Sequence, residues 1–224
     1  MTGVSSGLGL ELALRLAPER KVVGISRSRP TDPRWEALGA SGACSHVVGD
    51  VSDELAVGSA FDRAASLGTL DLAVNCAGAG RFRPAGAHDR RDVDVALRGN
   101  LIGLILCSER AYALFREGGG TIVNVLSTAG QVPRPGQAAY CAAKWGARGY
   151  TETLRTEAIG SPVRIVAVYP GGMRTRFWPG AGNRPREWES FMDPGDVADA
   201  IVRALGGQGS GYVGDLTIRR KEAS

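Results

Sequence analysis

Tyr140 and Lys144 stand four residues apart in the apolar-periodic stretch Ala138–Ile159, so on a helix both side chains project from the same face. That pairing is suited to general acid/base chemistry. A free tyrosine has a pKa near 10, and only about one in a thousand is ionised at pH 7. Useful proton transfer needs a shift of roughly 2–3 units, worth about 3–4 kcal/mol. A lysine ammonium one turn away supplies part of it by favouring the phenolate.

A second group of residues suits anion binding. Thr2-Gly3-Val4-Ser5-Ser6-Gly7-Leu8-Gly9 leads directly into an apolar helical stretch. Glycines at Gly3, Gly7 and Gly9 let a backbone approach a pyrophosphate, while Ser5, Ser6 and Leu8 begin a helix whose N–H groups and dipole favour negative charge. A plain tight turn is the alternative for such a cluster, and its spacing differs from G-x-G-x-x-G.

The elements that must hold these residues alternate along the chain. Val- and Ile-rich runs at Lys21–Ser26, Ser45–Val51, Leu70–Cys76, Thr121–Ser127, Val163–Tyr169 and Gly211–Ile218 predict strands. Helical patterns occupy Leu8–Ala17, Asp53–Leu67, Asp89–Arg116, Ala138–Ile159 and Pro194–Leu205, the last with Asp193 as N-cap and Pro194 in its first turn. Buried strands separated by helices indicate an α/β fold: a single doubly wound Rossmann-type domain, residues 1–224, with a mostly parallel sheet. Such a sheet opens with a central strand before its glycine turn. Here the turn begins at Thr2, so the first strand is missing or truncated, a loss on the scale of a typical net stability of about 5–15 kcal/mol.

Composition excludes several classes. Hydrophobic residues make up 43% and charged residues 22% of the 224, which argues against disorder. Thirty-two glycines without a three-residue period exclude collagen and imply many tight turns. The net charge of +4 comes from scattered basic residues, apart from Arg219, Arg220 and Lys221, so no nucleic-acid footprint is expected. Cys44, Cys76, Cys107 and Cys141 form no CxxC pair, and with only His46 and His88 beside them no metal site is expected. Reduced thiols fit a cytoplasmic protein. No apolar run approaches a membrane span and no signal peptide is apparent.

The opening turn resembles the TGxxxGxG element of the short-chain dehydrogenase/reductase family, and further motifs follow in the family's order. Asn75-Cys76-Ala77-Gly78 resembles NNAG, Tyr140 and Lys144 match YxxxK, and Pro170-Gly171-Gly172-Met173-Arg174-Thr175 resembles PGxxxT. The resemblance covers nearly the whole chain. It implies a catalytic set of Asn100, Ser127, Tyr140 and Lys144. In it, Ser127 holds a substrate oxygen against Tyr140, and Asn100 positions a water that relays protons from Lys144. It also implies that Asp50 and Val51 touch an adenine, that Asn75, Ala77 and Gly78 line the cofactor cleft, and that Pro170, Gly171, Met173 and Thr175 meet the nicotinamide end.

Cofactor choice within the family turns on the end of the second strand, where an acidic residue suits NAD and an arginine suits NADP. This chain has Ser26 and Arg27 there, with Arg29 as a possible helper and Asp32 too far along. The expectation is an NADP(H)-dependent interconversion of a carbonyl and a secondary alcohol, with NAD(H) less favoured. Residues 176–193 resemble a substrate lid, with Phe177, Trp178, Trp188, Phe191 and Met192 for an apolar inner face. Its arginines Arg176, Arg184 and Arg186 either meet an acidic substrate or stand in solvent. By family analogy the chain pairs through its long helices into a homodimer or homotetramer. Two alternatives stay open: a non-catalytic dinucleotide-binding protein, and a truncated form of a longer reductase.

Overall fold

The computed structural model describes residues 1–182, 187–206 and 211–221. Helices and strands follow one another along the chain: α1 (Gly7–Leu16), β1 (Val22–Ser26), α2 (Pro33–Ala40), β2 (Cys44–Val48), α3 (Glu54–Ala65), β3 (Leu72–Asn75), α4 (Arg90–Leu97), α5 (Gly103–Gly118), β4 (Gly120–Val125), α6 (Ala138–Glu157), β5 (Val163–Pro170), α7 (Phe177–Gly180), α8 (Pro194–Leu205) and β6 (Asp215–Ile218). All strand pairings are parallel: β1 with β2, and β3-β4-β5-β6 in that order.

Parallel strands covered on both faces must bury alternate side chains against different helices. Val123 and Val125 of β4 and Val166 and Val168 of β5 pack with Leu8 and Leu12 of α1 and Val197 and Ile201 of α8. Ile122 and Ile165, one residue out of phase, pack on the other face with Phe115 of α5 and Leu154 of α6. The sheet is thus wound on both sides, and the fold is Rossmann-like.

Met1 and Thr2 take the place of the expected first strand. The Met1 amine donates to Val23 O (2.7 Å) and Met1 O accepts from Ile25 N (2.9 Å), while Thr2 N donates to Val74 O (2.9 Å). Thr2 Oγ1 accepts from Cys76 N and Ala77 N, both at 2.9 Å. Two residues therefore join β1 to β3, through a single parallel bridge from Thr2 to Ile25. Below them the two strand edges remain apart, and a groove of about 550 Å³ lies between them, lined by Val22, Val23, Leu72, Ala73, Phe61 and Cys107 among others.

Several elements differ from the sequence reading: β2 ends at Val48 rather than Val51, and the short helix α7 was not expected. Helix α2 lies in a stretch to which the sequence reading assigned no element. Asp32 caps it by accepting from Arg34 N (2.9 Å), Pro33 is its first residue, and only Trp35 is buried. The stretch Asp89–Arg116 is not one helix: a π-helical turn at Arg98–Ile102 separates α4 from α5. Strand β6 is shorter than Gly211–Ile218, beginning at Asp215. Helix α8 has the expected bounds, and Asp193 caps it through Gly195 N (2.7 Å).

Candidate active site

A cleft of about 1110 Å³ opens at the C-terminal ends of the strands, where ligands bind in open α/β sheets. Its phosphate-sized end is made by the glycine turn. A Cβ on Gly9 would stand 2.3 Å from Gly3 O, and Gly3 has φ +74°, where a Cβ would lie 2.8 Å from Ala77 Cα. Ser6 begins α1 in extended conformation and makes no side-chain cap bond, so the first N–H groups of α1 keep their capacity for an anion. Ser5, Ser6, Gly7 and Leu8 line this end. Uncapped donors, with glycines at positions 3 and 9 where a Cβ would clash, fit a dinucleotide pyrophosphate.

Tyr140 and Lys144 project from α6 into the floor of the cleft, both almost fully buried. Lys144 Nζ lies 5.8 Å from the Tyr140 ring centre and donates to Val125 O (2.9 Å). Burial pushes the Tyr140 hydroxyl well above its ordinary value, opposed by a hydrogen bond with the Ser127 hydroxyl. This is opposite in sign to the expected activating shift: without a bound cation the site keeps tyrosine in its proton-donating form. Burial also lowers Lys144, to about 8. Ser127 is held at φ +83°, the one non-glycine residue in the left-handed region among the described residues. Its Oγ accepts from Ala129 N (3.2 Å).

The Lys144 shift has a stability consequence with a definite sign. Its folded pKa lies below the unfolded one, so at pH 7 both states are charged and the full burial penalty is present; stability rises as pH passes from about 8 to the unfolded value near 10.4. Lys144→Met is expected to unfold about 1–2 kcal/mol less readily at pH 7, the loss of the bond to Val125 O offsetting part of the gain. Urea titrations at pH 7 and pH 10.5 check this, and an equal difference at both would refute it.

Asn100 reaches the same floor by a local irregularity. It sits in the π-helical turn, fully buried, with Nδ2 donating to Ala79 O (2.5 Å) and Ala96 O (2.8 Å). Its Oδ1 is buried without a partner among the described residues. A Cβ on Gly78 would lie 2.7 Å from that oxygen and 3.9 Å from Lys144 Nζ. Only glycine leaves this gap open, and a buried polar gap of this kind suits a water.

At the other end, Ser26, Arg27, Asp50 and Val51 line the cleft as the sequence indicated. Ser26 Oγ donates to Ser28 O (2.9 Å), so its proton is already committed. Burial raises Asp50, but hydrogen bonds from Ser52 and the charges of Arg98 and Arg27 outweigh it and hold the carboxyl below its ordinary value. Arg98 was not singled out from sequence; its position two residues before Asn100 was the available signal. It bonds Ser52 Oγ (2.9 Å) and lies 3.7 Å from Asp50. Ala77, Pro170, Gly171, Met173 and Thr175 also line the cleft. Asn75 does not. Its Nδ2 donates to Ser108 Oγ (2.9 Å) and Asn124 Oδ1 (2.8 Å), and Asn124 Nδ2 donates in turn to Thr151 Oγ1 (3.0 Å). This buried network ties β3 and β4 to α5 and α6 behind the site.

Aromatic rings roof the tyrosine. Phe177 and Phe82 stand 5.4 and 5.7 Å from the Tyr140 ring, Trp178 stands 5.6 Å from Phe177, and Phe191 stands 5.1 Å from Trp178. Met192 closes the base of this segment, donating to Gly172 O (3.1 Å) and accepting from Arg174 N (2.9 Å). Arg184 and Arg186 lie outside the described residues. Among the described residues no cluster of His, Cys, Asp or Glu could hold a metal, and no helix is long and apolar enough to cross a membrane.

A doubly wound parallel sheet with a glycine turn at its ligand edge and a buried tyrosine–lysine pair in the cleft defines the class of dinucleotide-dependent oxidoreductases. Residues 1–184 match the short chain dehydrogenase family model. The chain is 34% identical over 217 residues to a D-threitol dehydrogenase of Mycolicibacterium smegmatis, covering 90% of this chain and 83% of that protein. It superposes on a short-chain dehydrogenase/reductase from Vibrio parahaemolyticus with a TM-score of 0.85 at 30% identity, over 100% of this chain and 97% of that one. A 3-ketoacyl-(acyl-carrier-protein) reductase from Brucella melitensis, complexed with NADH, superposes at 0.84 and 26% identity, covering 97% and 94%. The chain belongs to the short-chain dehydrogenase/reductase family and is an oxidoreductase, which sets aside the non-catalytic alternative.

Proposed function

We propose that this oxidoreductase interconverts a small-molecule carbonyl and its secondary alcohol with NADP(H). The observation that carries the reading is the buried Tyr140–Lys144 pair with the Ser127 hydroxyl bonded to Tyr140, all on one side of an open cleft. A bound nicotinamide supplies or accepts the hydride. In reduction, Tyr140 Oη–H donates its proton to the carbonyl oxygen and Ser127 holds that oxygen in place. Lys144 and a water on Asn100 Oδ1 return the proton to Tyr140. Asp50 and Val51 border the adenine, Ala77 and Gly78 the middle of the dinucleotide, and Pro170, Gly171, Met173 and Thr175 its nicotinamide end. A substrate-lid role for the described residues 176–182 and 187–193 belongs to this reading. So does a homo-oligomer built through α5 and α6, whose Leu114 and Trp145 are exposed apolar residues.

Preference for NADP(H) rests on the turn after β1. Asp32, the nearest carboxylate along the chain, is bound into the cap of α2 and paired with Arg34 at 2.8 Å. Arg27 is exposed on the cleft wall and offers a guanidinium to a 2′-phosphate. Arg27→Ala is expected to weaken NADPH about 10-fold or more and NADH less than about twofold. Titrations of both cofactors by nicotinamide fluorescence test it, and equal losses would remove the 2′-phosphate reading.

A further inference from the structure

The turn that meets the adenosine ribose is held from behind by a histidine. Ser26 Oγ donates to Ser28 O at 2.9 Å and also lies 2.8 Å from His46 Nε2, on the neighbouring strand β2. A serine hydroxyl has one proton, and here it is spent on the carbonyl. The contact with His46 therefore requires Nε2–H to donate, which leaves the lone pair of the neutral ring on Nδ1. Nδ1 is buried and has no partner among the described residues, a cost that a neutral acceptor bears more easily than a second N–H. Trp35 packs edge-on against the ring at 6.4 Å. Arg29 is the charged group acting on it, and burial first, then Arg29, hold the imidazole below its ordinary pKa. The ring is thus fixed as the neutral Nε2–H tautomer.

We propose that His46 is a positioning residue for cofactor discrimination. Its Nε2–H holds the Ser26 hydroxyl onto Ser28 O and so sets the turn from which Arg27 meets the ribose 2′ position. The proposal rests on the NADP(H) reading. It also reassigns Ser26: with its proton committed, Ser26 braces the turn, and the charge contact with a 2′-phosphate falls to Arg27.

The test combines His46→Leu and His46→Gln with the wild-type chain. His46→Leu is expected to raise the NADPH Kd about 3- to 10-fold, with NADH changed less than about twofold. His46→Gln keeps a donor amide and is expected to stay within about twofold of wild type for both cofactors. In cofactor-free protein, side-chain ¹⁵N NMR of a chain with two histidines is expected to report neutral Nε2–H for His46, a readout that survives even if the leucine variant does not fold. Equal weakening of both cofactors by His46→Leu, or an Nδ1–H or doubly protonated ring at pH 7, overturns the role. A wild-type preference for NADPH that His46→Leu leaves intact overturns the role alone. A wild-type preference for NADH overturns the NADP(H) reading, and the discriminating role with it.

Discussion

Tyr140→Phe is expected to lower kcat about 1000-fold while leaving the NADPH Kd within about twofold of wild type. The ring remains, so its packing against Phe82 and Phe177 at 5.7 and 5.4 Å persists. What disappears is the single O–H at the cleft floor and its bond with Ser127. Cys76 does not replace it as an acid: its thiol is only partly buried, yet desolvation pushes it up to about 12. Steady-state NADPH oxidation across a panel of ketones, beside a fluorescence titration, separates chemistry from binding. A variant that loses cofactor affinity in proportion to turnover would show that Tyr140 serves the architecture instead. The pH response carries a sign as well. Tyr140 is protonated throughout the usual range, so reduction is expected to slow only above pH 8, as Lys144 gives up its charge and the tyrosine becomes a poorer donor.

The second large effect concerns stability. Extending the chain ahead of Met1 by four alternating Val and Ile residues is expected to raise Tm by about 5–10 °C. The groove between β1 and β3 is walled by strand edges and apolar side chains, and Met1 and Thr2 already set the parallel register that an extension would continue. Each well-buried Val or Ile gives about 1.5–3 kcal/mol before the entropy of ordering is subtracted, about 1–2 kcal/mol per residue. A net gain of about 2–3 kcal/mol corresponds to that rise for a chain of this size. A Gly-Ser extension of equal length is the control. Equal melting temperatures for the two extensions would mean the groove does not accept a strand.

Much of this was legible because strong local signals coincide with the buried elements. Asp193 and Pro194 start α8 where capping chemistry places them, and its Val197, Ala198 and Ile201 form one buried stripe. Helix α2 gave no such stripe, since Trp35 alone is buried, and its cap and proline read equally well as a turn. The π-helical turn was invisible for a different reason. A helical pattern spans Asp89–Arg116, and the local widening at Arg98–Ile102 is a property of the backbone hydrogen bonding that the side-chain pattern does not report. Asn75 was misplaced because motif position says which segment lies near the cleft but not which way a side chain turns. The pKa of Tyr140 depends on burial that a list of neighbours along the helix does not contain. His46 carried no motif at all, and its role emerges only from its register beside β1.

The narrow join at Met1 and Thr2 has a consequence for how ligand and fold share free energy. On one side of that seam, β1 and β2 carry Ser26, Arg27 and the approach to Asp50; on the other, β3 to β6 carry the tyrosine, the lysine and Thr175 by way of their connections. A dinucleotide binding as proposed spans the seam and grips both halves, acting as a stitch across the part of the sheet with the fewest cross-links. Ligand at 100 times its Kd adds about 2.7 kcal/mol to the cohesion of the folded state.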